Sequence, residues 1–139
     1  MTAPRPNDEG FTLLEVLVVI AILALVGGLM FPRVDRLLDQ ARFASARSMV
    51  AAAAQGARAQ AMRTDSTVVL QASPDGRSLL GNGRPVAILP SPVRIATTQE
   101  GARFYGDGSA TGGTLLLTSG ASRAQLNVIA PTGVTRWQR

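Results

Sequence analysis

Histidine, cysteine and lysine are all missing from this 139-residue chain, and its fourteen basic residues are all arginine. A nucleophilic serine works with a base beside it, usually histidine or lysine, and neither is available. Zinc, copper and haem sites draw on His or Cys, so no such metal or cofactor is expected. Carboxylates alone restrict any metal to hard ions such as calcium. The chain is therefore read as a non-enzyme. No disulfide can form, so cysteine usage says nothing of the redox compartment.

What is present is unevenly placed. Hydrophobic residues make up 46% of a chain long enough for one domain, and the long apolar run sits near one end. The net charge of +5 comes from scattered arginines, read as a solvated surface.

Residues 1–10 are polar and hold two prolines. Phe11 to Phe31 then forms 21 residues with one charge, Glu15. As a helix this run would cover roughly 30 Å, the thickness of a bilayer's hydrocarbon core. So short a chain has too little else to bury such a helix on every side. A cleaved secretory signal fits poorly, since no basic n-region precedes the run and no A-x-A site follows. Residues 11–31 are expected to be a transmembrane helix.

Pro32 is expected to kink the helix rather than end it. Beyond it Val34, Leu37, Leu38, Ala41 and Ala44 share one face, with Arg36, Asp39 and Arg42 on the other. Half of the residues from Ala44 to Ala61 are alanine, the best helix former, whose small side chain lets a sheet approach closely. This amphipathic continuation, 32–63, should run to about Arg63 and close at Thr64-Asp65-Ser66.

From residue 64 onward short β-branched runs alternate with turn residues. The predicted strands are Thr67–Ala72, Ser78–Leu80, Val86–Leu89, Val93–Thr97, Ala102–Tyr105, Thr114–Thr118, Gln125–Ile129 and Val134–Trp137. Such short connections favour antiparallel meanders. The expected fold is α+β, one long helix laid on an antiparallel β-sheet domain, 64–139.

The most specific signal is Gly10-Phe11-Thr12-Leu13-Leu14-Glu15 opening the apolar helix. This segment resembles the processing site of type IV pilins and type II secretion pseudopilins. The resemblance implies that residues 1–10 are a leader, that a prepilin peptidase cuts between Gly10 and Phe11, and that the new amine of Phe11 is methylated. Glycine at the cut also makes physical sense, having no side chain to obstruct extended backbone in a peptidase cleft. Family leaders usually carry Lys or Arg near the glycine, whereas here Asp8 and Glu9 precede it. One arginine, Arg5, comes before the helix and Arg33, Arg36, Arg42 and Arg47 follow it. The charge count alone would put the C-terminal domain in the cytoplasm; the processing motif implies the periplasm.

Glu15 has two readings. It is either a carboxylate snorkelling to the headgroups from a helix end, or an intramembrane charge with a partner. The resemblance implies the second, with Glu15 neutralising the Phe11 amine of a neighbouring subunit.

Phe104-Tyr105-Gly106-Asp107-Gly108-Ser109-Ala110-Thr111-Gly112-Gly113 invites a nucleotide-binding reading, but no lysine is present and no helix is expected to follow. Asp107 alone is a poor start for calcium. A glycine-rich hairpin between two strands is preferred. The same stretch, with Pro131-Thr132-Gly133-Val134, resembles the C-terminal domain of H-type minor pseudopilins and related minor pilins. The tail, Arg136, Trp137 and Arg139, sets arginines beside an aromatic, as single-strand nucleic-acid binders do; a last strand with a solvated end is the plainer reading.

The family implies an inner-membrane, single-pass subunit of the type II secretion pseudopilus. Its partners would be other pseudopilins, the peptidase, the inner-membrane secretion platform and lipid, and nucleic acid is not expected among them. The alternative is a type IV pilus minor pilin that binds DNA for uptake.

Overall fold

Thr12 starts the helix by supplying what the first turn lacks. Its Oγ1 accepts the Glu15 N–H at 3.3 Å, one of the N-terminal donors that have no intrahelical partner. Helix α1 (Leu13–Thr64) follows. It continues through position 32, where the sequence had placed a kink rather than an end. Its far end is closed by Asp65, which takes a left-handed φ of 45°, so that the Ser66 N–H reaches back to the Ala61 carbonyl at 3.2 Å. The structure, a computed structural model, describes residues 11–98 and 100–138, with the side chains of residues 29–33 excepted.

The chain divides into two units, Met1–Leu37 and Leu38–Arg139. In the first, residues 13–28 of the helix are apolar but for Glu15 and are exposed around the helix: Leu13 is 79% exposed, and Leu17, Ile20 and Leu23 are all more than half exposed. A helix of this kind needs burial by something outside itself. Among the described residues no helix is long and apolar enough to cross a membrane. The span expected from the sequence includes residues 29–31, whose side chains lie outside the described set.

In the second unit the rest of α1 packs with eight strands: β1 (Val68–Ala72), β2 (Ser78–Gly81), β3 (Arg84–Ile88), β4 (Arg94–Thr97), β5 (Ala102–Phe104), β6 (Gly113–Ser119), β7 (Ser122–Ile129) and β8 (Val134–Gln138). Each expected strand is found. The strands form two four-stranded antiparallel sheets, ordered β3-β2-β1-β5 and β4-β6-β7-β8. Pro90 and Pro92 offer no N–H to a ladder, and the chain leaves the first sheet there and enters the second at β4. It then returns: β5 pairs with β1, Val68 opposite Phe104 and Leu70 opposite Ala102.

The core is a seam of small residues on the helix against large residues on the sheets. Ala46, Val50, Ala54, Ala57 and Ala61 are buried at helical spacing. Facing them, Leu70, Leu79, Phe104, Leu115, Leu117 and Leu126 are almost fully buried. Alanine on one side thus makes room for leucine and phenylalanine on the other.

Candidate functional site

Glu15 lies in the first turn of α1, where a negative charge suits the positive end of the helix. Its backbone N–H is held by both the carbonyl and the hydroxyl of Thr12, at 3.0 and 3.3 Å. Phe11, one residue ahead of this cap, is exposed. Gly10 lies outside the described residues. The structure thus sets Phe11 and Glu15 on either side of a capped turn, four residues apart in an apolar setting.

The glycine-rich stretch doubles back on β5 as a short hairpin, Phe104 pairing antiparallel with Ala110 and the Tyr105 N–H donating to the Ser109 carbonyl at 2.9 Å, but it does not join two strands of one sheet. β5 and β6 belong to different sheets, so residues 105–112 carry the chain from one sheet to the other. Asp107 accepts hydrogen bonds from the Ser109 N–H and hydroxyl at 2.9 and 2.6 Å, closing a tight local turn. The Ala110 N–H donates to the Pro131 carbonyl at 2.9 Å, tying this crossover to the last turn of the domain. The two C-terminal segments singled out in the sequence are therefore in contact. Among the described residues no group of three or more acidic side chains could hold a metal ion.

Arg58 joins this corner to the helix, and sequence reasoning passed it over. Its Nε donates to the Gly108 carbonyl at 2.9 Å. A Cβ at Gly133 would lie 3.1 Å from that Nε and 2.8 Å from the Gly108 oxygen, so glycine is needed for the approach. The available signal was its isolation, since Arg58 is the one charge between Arg47 and Arg63 in an alanine-rich run. Arg58→Ala removes a charge-assisted bond to a partly buried carbonyl, with an expected loss of about 1–2 kcal/mol in the denaturant unfolding free energy.

Hydrogen bonding to Ser109 holds the Asp107 carboxyl below its ordinary pKa, and Ser73 does the same for Asp75. A carboxylate with a depressed folded-state pKa contributes stability above its unfolded value and loses it as pH falls through the folded one. Urea midpoints should therefore show this contribution intact down to about pH 4 and declining below. Asp107→Asn should remove part of that decline.

At the tail, β8 runs as the edge strand of its sheet, and Trp137 packs partly buried against the core. The Arg47 guanidinium lies 4.7 Å from the centre of its ring. Arg136 is exposed, while Arg139 lies outside the described residues. The structure therefore does not present Trp137 and Arg136 as one stacking platform. A groove of about 470 Å³ between α1 and the first sheet is lined by residues such as Met49, Gly56, Val68 and Val86, with no ionisable group in its wall.

Two comparisons bear on these features. A family profile described as the prokaryotic N-terminal methylation motif matches residues 5–31. The chain is 31% identical over 142 residues to the type II secretion system protein H of Xanthomonas campestris pv. campestris, covering 95% of this chain and 84% of that protein. No solved structure matches significantly.

Proposed function

The chain belongs to the H-type minor pseudopilins of type II secretion, which assemble with other pseudopilins, and from that premise we propose how this one is processed, anchored and joined to its neighbours. The observation that carries the reading is the similarity to protein H across 95% of this chain and 84% of that protein, with the methylation motif at the N-terminal end. Prepilin peptidase cuts between Gly10 and Phe11 and the Phe11 amine is methylated. Residues 11–31 then anchor the subunit in the inner membrane, with the domain of residues 64–139 in the periplasm.

Glu15 pairs with the Phe11 amine of an adjacent subunit. What supports this is the apolar, exposed helix around it, where an unmatched charge is costly and a matched pair is selective. The subunit acts by assembly and not by catalysis: helices stack into the filament core, the β-domains form its surface, and growth from the inner-membrane platform moves folded proteins outward.

Deleting the gene and restoring it on a plasmid tests the role. Secreted proteins should accumulate in the periplasm of the deletion strain and return to the medium on complementation. Normal secretion without the gene, together with no crosslink to any other pseudopilin, would remove the reading.

A further inference from the structure

The outward face of the second sheet carries three arginines and no carboxylate. Strands β4, β6, β7 and β8 contain no Asp or Glu at any position. Alternation turns Ile95, Leu115, Leu117, Leu126 and Val128 into the core, so that Arg94, Arg123 and Arg136 face out, all exposed. The register fixes their layout. Arg94 and Arg123 both lie opposite Thr118, one on each side, which puts them about 10 Å apart across two strand spacings. Arg136 lies opposite Asn127, four residues along β7 from Arg123, or about 14 Å up the sheet.

Between the arginines the face is already ordered. Asn127 accepts from Gln125 at 2.8 Å and donates to Gln138 at 2.9 Å, so three amides form a fixed ladder across β7 and β8. Beside it a shallow hollow of about 490 Å³ is lined by Leu116, Arg123, Gln125 and Gln138. Among the described residues the one ion pair is Arg42–Asp39, on the helix, so none of these three guanidiniums has a carboxylate partner among them; Arg94 donates to the Asp75 backbone carbonyl, while Arg123 and Arg136 are the two left facing outward.

We infer that this face docks a protein surface bearing carboxylates, namely that of another subunit of the same filament, and the inference rests on the pseudopilin reading. Arginines whose backbone positions lie about 10 and 14 Å apart on a hydrogen-bonded sheet match separate acidic side chains on a folded partner. Nucleic acid fits less well. A single strand is held by a basic groove with aromatic platforms, and the domain's one tryptophan is packed against the core beneath this sheet, under Arg47.

The test uses the full-length chain in cells that carry all the secretion genes. A photo-crosslinking residue is placed at Gln125, or at Leu13 in the apolar helix as an independent report of assembly. At Gln125 the expected adduct is another pseudopilin, joined at a segment containing Asp or Glu. Arg123→Glu combined with Arg136→Glu should lower its yield about tenfold, since attraction becomes repulsion. Gln at both positions should give an intermediate yield, and the Leu13 adduct should persist throughout, showing that the variants fold and assemble. A Leu13 adduct with no protein adduct at Gln125, with one insensitive to charge reversal, or with a nucleic-acid adduct there, overturns the inference and leaves the pseudopilin reading standing. Loss of adducts at both positions in the wild-type chain overturns both.

Discussion

Glu15→Leu is expected to reach the membrane and be cut at normal levels, yet to lose crosslinking to partner pseudopilins and most of its activity in secretion. The two halves of this result come from opposite energetics. A carboxylate at the centre of a membrane helix costs about 2.5–3.5 kcal/mol, and less toward an end, so its removal eases insertion. In an assembled filament the same change leaves a neighbour's amine without its counter-charge in a low-dielectric setting. Glu15→Asp keeps the charge one methylene shorter and should fall between. The Thr12 cap uses only the backbone N–H of Glu15, so neither variant disturbs the start of the helix. Wild-type crosslinking by Glu15→Leu would reduce the residue to an interfacial charge.

Gly101→Val should be among the most damaging single changes in the β-domain. Gly101 has a φ of +66°, which a β-branched residue resists, and an added Cβ would run into the Leu70 carbonyl and the Gln71 side chain. Leu70 is fully buried and pairs with Ala102, so no simple side-chain adjustment relieves the clash; β1 and β5 must move apart. The expected loss is on the order of 3 kcal/mol or more, a fall of roughly 15 °C in Tm. Gly83→Ala is the comparator. Its φ is +79° but the space around it is open, so only the backbone penalty of about 1 kcal/mol applies. Similar losses from the two variants would mean that the packing of Gly101 contributes nothing.

Gly101 also marks where sequence reasoning ran out. The local features were legible: the helix end near Thr64 and all eight strands follow from composition, period and turn residues. The two strand starts that came late by more than one residue have local causes. Pro85 reads as a break and is tolerated because β3 is an edge strand, while β7 begins with Ser122 and Arg123, whose only inward neighbour is Ala124. The division into two sheets and the pairing of β1 with β5 are non-local. They depend on which strands meet once the chain has crossed at Pro90–Pro92, returned after Thr97 and crossed again after Phe104, and no short window carries that information.

The candidate site divides the same way. Gly10, Phe11 and Glu15 stood out because their motif is contiguous, and the structure adds the Thr12 cap between them. Arg58 is fifty residues from the carbonyl that it holds, and the inward packing of Trp137 needs the helix beside it. Neither contact is written in its own neighbourhood.

The most direct measurement is the intact mass of the chain after co-expression with prepilin peptidase. The account predicts a mature species that begins at Phe11 and carries one added methyl group, while Gly10→Val stays uncut in the membrane. A wild-type species still beginning at Met1, or cut at any other residue, would contradict it.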